Sequence, residues 1–87
     1  MPTYIAVRTF AEEPTEEAME AAIAATRELR EQMSVRWVRS YYSVEEGKLY
    51  CEYEAPSLEL LYEYGRRSGV PIDHATVVRN FEPSMFR

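Results

Sequence analysis

The segment VRWVRSYY, residues 35–42, carries the side chains of this sequence that are best suited to binding chemistry. Alternation along a β-strand places Trp37, Arg39 and Tyr41 on the same side of it. A guanidinium group binds carboxylates and other anions, and flat aromatic rings form the walls of ligand pockets. This side of the strand is therefore a candidate surface for a small organic ligand.

The strand that follows along the chain adds an acidic residue and a further aromatic one. EEGK at residues 45–48 predicts a tight turn centred on Glu46 and Gly47. Counting outward from that turn sets Tyr41 opposite Glu52 and Arg39 opposite Glu54. With arginines from the first and last strands, the predicted ligand-binding residues are Arg8, Trp37, Arg39, Tyr41, Tyr50, Glu52 and Arg79.

The remaining chemically capable residues show no catalytic or metal-binding pattern. His74 is the only histidine, and without an acidic partner at helical spacing it is predicted to be a surface or turn residue. Cys51 is predicted to be an inert buried thiol, and Arg66 and Arg67 to complement a helix dipole. There is no phosphate-binding loop, dinucleotide fingerprint or His/Cys cluster. The sequence therefore predicts no cofactor, no metal site and no identifiable catalytic residue.

Six elements position these residues. Stretches rich in β-branched and aromatic residues predict strands at 3–10, 35–44, 49–55 and 74–81. Apolar spacing predicts a helix over 15–33 that Thr15 caps, and a second over 57–68 that Ser57 caps and Gly69 ends. The order βαββαβ is the ferredoxin-like pattern, an α+β fold whose four-stranded antiparallel sheet carries two helices on one face.

Such a fold leaves the other sheet face bare unless another molecule covers it. The more apolar set of residues is predicted to face the helices: Val38, Ser40, Tyr42, Val44, Leu49, Cys51, Tyr53 and Ala55, with Ile5, Val7 and Val78. The bare face is predicted to carry Tyr4, Ala6, Arg8, Phe10, Trp37, Arg39, Tyr41, Tyr50, Glu52, Glu54, Val77, Arg79 and Phe81. Its aromatic residues predict a homodimer of the α/β-barrel type, and its charges predict a wet cleft between the subunits.

Length and charge restrict the class of protein. The 87 residues predict a single domain over 1–87. Fifteen acidic and ten basic residues give a net charge of −5, which repels a phosphate backbone, so no nucleic acid partner is expected. A single cysteine fits a reducing compartment. No signal peptide pattern and no run of ~18 apolar residues is present, so we expect a cytoplasmic protein without a membrane partner.

Three segments carry a family resemblance: MPTYIAVRTF, VRWVRSYYSVEEGKLYCEYEAPS and YGRRSGVPIDHATVV. With them the chain resembles the small bacterial domains of unknown function numbered forty-two forty-two, some of which are described as nickel-binding proteins. The resemblance implies a ferredoxin-like homodimer. It also implies that metal-binding relatives carry histidines at the positions of Arg8, Ile23, Tyr64 and Ser68, and none of these four residues is a good nickel ligand.

The sequence therefore predicts a small homodimeric cytoplasmic protein that binds a small organic ligand in a cleft on the sheet face, or that only assembles. Two alternatives stay open. One is a small dimeric α/β-barrel enzyme, monooxygenase-like or cyclase-like, that acts on an aromatic substrate through Glu52, Arg39 or Tyr50. The other is a nickel-binding protein like some relatives.

Overall fold

The computed structural model describes residues 1–86, which form four strands, three α-helices and a short 3-10 helix. The strands are β1 (Thr3–Thr9), β2 (Arg36–Ser43), β3 (Lys48–Glu54) and β4 (His74–Val78). The helices are α1 (Glu16–Ala25), α2 (Arg27–Gln32) and α3 (Leu58–Arg67), and the 3-10 helix is Pro83–Phe86. Every strand and helical region that the sequence predicts is present. β1, β2 and β4 are shorter than predicted, and β3 begins and ends one residue earlier.

The strands form one antiparallel sheet in the order β2-β3-β1-β4. The core lies between one face of this sheet and the helices, where Tyr53 and Cys51 meet Leu61 and Tyr64 of α3. This arrangement confirms the ferredoxin-like fold. Within residues 1–86, no helix has the length and apolar character needed to cross a membrane.

The predicted helix ends are observed. Thr15 Oγ1 accepts a hydrogen bond from the N–H of Ala18 at 3.0 Å, and Ser57 Oγ accepts one from Leu60 at 3.1 Å. Each cap satisfies a backbone donor that the first helical turn leaves without a partner. Gly69 has a φ of +85°, a left-handed conformation that ends α3.

The first helical region, predicted as continuous over 15–33, is broken at Thr26. Thr26 has φ −103° and ψ 2°, and its Oγ1 donates to the Ala22 carbonyl at 2.8 Å. Such side-chain bonds compete with the helical backbone pattern. Arg30 Nη2 donates to the Ile23 carbonyl at 3.0 Å, the acceptor that the N–H of Arg27 would use in an unbroken helix.

The turn between β2 and β3 is longer than predicted. Ser43 pairs with Lys48, so four residues, 44–47, form the turn, and Val44 is exposed there instead of facing the helices. The turn is held by Ser43, whose carbonyl accepts from Gly47 at 2.8 Å and whose Oγ accepts from Glu46 at 3.1 Å. Tyr41 therefore lies opposite Tyr50 and Arg39 opposite Glu52. The predicted pairs were wrong by two residues, a shift that keeps each side chain on its predicted face.

The predicted faces of β1 and β4 were wrong. Tyr4, Ala6 and Arg8 are buried beneath the helices, whereas Ile5 and Val7 lie on the opposite face. Pairing carries the inversion into β4, where Val77 is opposite Tyr4 and Val78 opposite Thr3. The predicted arrangement would have kept the charge of Arg8 out of the core. In the structure Tyr4 pairs with Tyr53 and Ala6 with Cys51, and these side chains fill the core together.

Trp37 lies on the other side of the sheet from the one predicted, because β2 contains a β-bulge. Trp37 lies opposite Tyr53 and Arg39 opposite Glu52, so Val38 is an extra residue between them. The bulge breaks the strict alternation of β2 and places Trp37 on the helix side, while Arg39 stays on the other side. The face opposite the helices, called the open face below, carries Thr3, Ile5, Val7, Arg36, Arg39, Tyr41, Lys48, Tyr50, Glu52, Glu54, His74, Thr76 and Val78.

Candidate functional site

A cavity of about 90 Å³ lies between the sheet and the three α-helices. Residues of β1, β2 and β3 form one wall, and residues of α1, α2 and α3 form the other. Helix α1 contains no buried residue, whereas α3 buries Leu61, Tyr64 and Gly65. Helix α1 thus covers the sheet without filling the space beneath it, and the cavity results.

A wider cleft of about 660 Å³ adjoins the cavity on its α1 side. Met19, Ile23, Ser40 and Leu49 line both spaces, so the cleft offers a route from solvent to the cavity. The cleft carries three carboxylates, those of Glu13, Glu16 and Glu20, and one cation, Arg27.

Arg8 is the charged residue at the centre of the cavity wall. Its residue exposure is only 6%. Its Nε donates to the Val70 carbonyl at 3.1 Å, and its Nη1 donates to the Tyr53 hydroxyl at 3.1 Å and lies 3.5 Å from Cys51 Sγ. No carboxylate in the described chain lies at ion-pair distance from Arg8. This is unusual, because buried charges are normally paired with opposite charges.

The environment keeps Arg8 charged and Tyr53 neutral. Burial acts to lower the pKa of Arg8, but interactions with Tyr53, Cys51 and Tyr64 outweigh it and raise that pKa above its ordinary value. Burial raises the pKa of Tyr53 above 10.0, although the nearby Arg8 cation opposes the shift. The Tyr53 oxygen accepts a hydrogen bond from Arg8, so its own O–H is left to donate elsewhere. At neutral pH the cavity therefore presents a cation and a neutral phenol.

A second arginine, Arg30, lines the same cavity from α2. Its Nη1 donates to Thr26 Oγ1 at 2.6 Å and to the Tyr64 hydroxyl at 3.4 Å. These contacts, with its bond to the Ile23 carbonyl, hold Arg30 across the helix break. The break at Thr26 therefore positions a second positive charge at the cavity.

Trp37, brought here by the bulge, forms part of the sheet wall. Its indole Nε1 donates to Ser40 Oγ at 2.8 Å, which fixes the orientation of the ring. Phe10, Met19 and Ile23 supply further apolar surface around the cavity. The site thus combines two cations and several hydroxyls with a largely apolar wall.

The structure divides the predicted ligand-binding residues into three groups. Arg8 and Trp37 lie at the cavity on the helix side, where they were not predicted to be. Four others lie on the open face: Arg39, Tyr41, Tyr50 and Glu52. Arg79 follows the end of β4, with its guanidinium carbon 4.9 Å from the centre of the Phe81 ring. These seven residues therefore do not form one site within a single chain.

The open face carries two ion pairs between arginines of β2 and glutamates of β3. Arg39 Nε lies 3.5 Å from Glu52 Oε1, and Arg36 Nη1 lies 2.7 Å from Glu54 Oε1. The predicted pairing of Arg39 with Glu54 was wrong because of the longer hairpin turn. Tyr50 donates to a Glu46 carboxylate oxygen, and this hydrogen bond raises the pKa of Tyr50.

The predicted ligand-binding residues did not include Tyr53, Tyr64 or Arg30, although the family resemblance marks the position of Tyr64. Tyr53 was predicted to lie on the helix face. Since Arg8 was predicted on the opposite face, nothing indicated that the Tyr53 hydroxyl had a charged partner. Arg30 falls at the helical spacing that continues from Met19 and Ile23, so its presence on the inner side of the helix could have been noticed. The partnership of Arg8 with Tyr53 depends on the face that β1 presents, which the sequence pattern assigned wrongly.

The chain is a small α+β ferredoxin-like domain with a cavity between its helices and its sheet. The chain belongs to the family described as nickel responsive protein SCO4226-like, whose model matches residues 4–78. The crystal structure of SCO4226 from Streptomyces coelicolor A3(2) is similar in fold, with a TM-score of 0.79 and 20% sequence identity. That match covers 92% of this chain and 99% of the other. A comparison with curated proteins gives no significant match.

The cavity does not fit a nickel ion. The four positions at which the resemblance implies metal-binding histidines, those of Arg8, Ile23, Tyr64 and Ser68, all line this cavity. They supply a cation, an aliphatic group, a phenol and a hydroxyl, whereas nickel in proteins favours imidazole and similar donors. Across residues 1–86, no three His, Cys, Asp or Glu side chains form a group that could hold a metal ion.

Proposed function

We propose that this protein binds a small organic ligand in the cavity between its helices and its sheet. The observation that carries the proposal is the space left beneath α1, a helix with no buried residue. Pockets with apolar walls and a few fixed polar groups are typical of small-molecule sites. Arg8, Tyr53, Trp37 and Ser40 supply those polar groups here, and hydrogen bonds within the chain fix their orientations.

Closing the cavity tests this proposal. Ala22 lines the cavity from α1, so Ala22→Phe should occupy the space and abolish binding. Ala25→Phe, on an exposed position of the same helix that lines neither the cavity nor the cleft, is the matched control. Trp37 is the only tryptophan of the chain, so its fluorescence reports on occupancy during titration with a panel of small organic acids, amides and alcohols. Binding that survives Ala22→Phe, or no binding of any compound to the wild type, would contradict the proposal.

The same proposal predicts weak nickel binding, because the donors at the cavity are poor ligands for that metal. Calorimetric titration of the untagged protein with NiCl₂ is the measurement. We expect no stoichiometric nickel site with a dissociation constant in the submicromolar range. Stoichiometric submicromolar binding would mean that this chain holds the metal through groups other than those at the cavity.

We further propose that the protein is a cytoplasmic homodimer that associates through the open face. Support comes from half-buried Ile5, Val7 and Val78 on this face, and from ion pairs that give Arg36 and Arg39 partners before association. Covering charges that are already paired avoids the cost of isolating them. The interface should exceed roughly 1,000 Å², and light scattering should give about twice the 10.2 kDa of the chain.

The predicted cleft between two open faces, around Arg39, Tyr41, Tyr50 and Glu52, remains a prediction about this dimer. The same is true of the alternative in which those residues act on an aromatic substrate. Both place the ligand on the side of the sheet away from the cavity. Ala22→Phe should leave ligand binding unchanged if either of them is correct.

A further inference from the structure

We propose that the ligand of the cavity is a small organic monocarboxylate whose carboxylate group is bound by Arg8. This inference rests on the proposed function, because it names the chemical class of the ligand for the same cavity. It is drawn from the distribution of charge, from the unused hydrogen-bond donors, and from the size of the space.

The charge of the cavity is opposite to that of the whole chain. The sequence has fifteen acidic residues and a net charge of −5. None of those acidic residues lines the cavity, whereas Arg8 and Arg30 both do. Taking a guanidinium group out of water without a counter-charge is unfavourable by several kcal/mol, and an anion within hydrogen-bond distance offsets that penalty. The cavity is therefore complementary to a negative charge.

Donors for that charge remain free after the internal hydrogen bonds are assigned. Arg8 uses Nε and Nη1 to bind groups of the protein, but no hydrogen bond joins its Nη2 to any residue in the range 1–86. The Tyr53 hydroxyl accepts from Nη1, and its own hydrogen stays available. A carboxylate oxygen that accepts from Arg8 Nη2, with a second bond from Tyr53, would satisfy both groups.

Size and apolar character select a monocarboxylate over larger or more highly charged anions. The volume of about 90 Å³ is smaller than the roughly 150 Å³ of an engineered cavity that binds benzene. Phe10, Met19 and Ile23 suit the hydrocarbon part of a small acid. Glu13, Glu16 and Glu20 outnumber the single cation Arg27 along the adjoining cleft, so the cleft repels a multiply charged anion more strongly than a monoanion.

The test compares acids with neutral amides of the same shape. The wild-type protein is titrated with propanoate, propanamide, butanoate, butanamide and inorganic phosphate at constant ionic strength, with Trp37 fluorescence as the signal. We expect at least one carboxylate to bind at least about tenfold more tightly than its amide and more tightly than phosphate. Amides that bind as well as their acids, or phosphate that binds more tightly, would overturn the monocarboxylate while leaving the cavity as a ligand site. No binding by any of these, or by the wider panel, would overturn the proposed function as well.

Variants assign the preference to Arg8. Arg8→Met should reduce the ratio between acid and amide affinities to about one, and Arg8→Lys should leave an intermediate ratio because it keeps the charge but not the fork of donors. Arg67→Met, at an exposed arginine that does not line the cavity, is the control and should keep the wild-type ratio. An unchanged ratio in Arg8→Met would overturn the role of Arg8. The comparison of acid with amide in the wild type decides the ligand class even if Arg8→Met fails to fold.

Discussion

The pair formed by Arg8 and Tyr53 determines how the centre of the molecule responds to pH. Burial raises the pKa of Tyr53 above its ordinary value of 10.0. Above pH 10 the unfolded chain therefore loses the phenol proton while the folded protein keeps it. Because unfolding then releases a proton, the free energy of unfolding should fall as pH rises from about 10, by up to about 1.4 kcal/mol per pH unit from this group.

Urea denaturation followed by circular dichroism between pH 8 and 11 measures this effect. Tyr53→Phe removes the titrating phenol, so its stability should fall less steeply above pH 10 than that of the wild type. Equal slopes in Tyr53→Phe and the wild type would show that Tyr53 titrates as it does in the unfolded chain.

At the residue scale, the chemistry of the site was only partly predictable. Arg8 and Trp37 were identified as candidates from their types, and both line the cavity. Their position was wrong for two physical reasons. Arg8 is a buried charge, which patterning rules place outside the core. Trp37 lies beside a bulge at Val38 that changes the face of β2, and nothing in the sequence marks that bulge.

At the scale of the elements, Ser34 follows the end of α2 and has a strained backbone conformation, with a φ of +58°. The N–H of Val35 donates to the Arg30 carbonyl at 2.9 Å, and the N–H of Ser34 donates to the Glu31 carbonyl at 3.3 Å. This is a Schellman helix end, in which glycine is usual because a β-carbon disfavours the left-handed conformation. Ser34→Gly should therefore raise the free energy of unfolding by about 0.5–1 kcal/mol, after allowing for the greater freedom of glycine in the unfolded chain.

Urea denaturation at neutral pH provides the measurement for Ser34. Ser34→Ala keeps a β-carbon in the same conformation, so this control should stay close to the wild type. A Ser34→Gly protein no more stable than Ser34→Ala would mean that the positive φ carries no strain. Because Ser34 is exposed, neither substitution should disturb the core.

At the element scale, local signals predicted the fold well. Thr15, Ser57 and Gly69 marked helix ends that the structure contains, since caps depend on a few neighbouring atoms. The break at Thr26 was missed because it is stabilised by Arg30, whose side chain reaches the Ile23 carbonyl seven residues earlier. The face of β1 was missed because both sets of alternating residues are largely apolar, so only tertiary packing decides which set is buried.

For the whole molecule, the open face and the cavity lie on opposite sides of one sheet. Their separation allows assembly and ligand binding to be tested independently. Tyr41 is 61% exposed on the open face, next to the ion pair of Arg39 with Glu52. In a symmetric dimer formed through this face, the interface contains Tyr41 of both subunits, so a substitution there is present twice.

Tyr41→Arg should therefore dissociate the dimer, because it adds one unpaired positive charge from each subunit to a surface that association buries. Light scattering at micromolar concentration should move from about twice the chain mass towards 10.2 kDa. Val44→Arg introduces the same charge at a turn residue that is 75% exposed and lies beyond the strands, so this control should remain dimeric. A wild-type monomer, or a Tyr41→Arg dimer, would exclude the open face as the interface, and dissociation by Val44→Arg alone would place the contact at the hairpin turn.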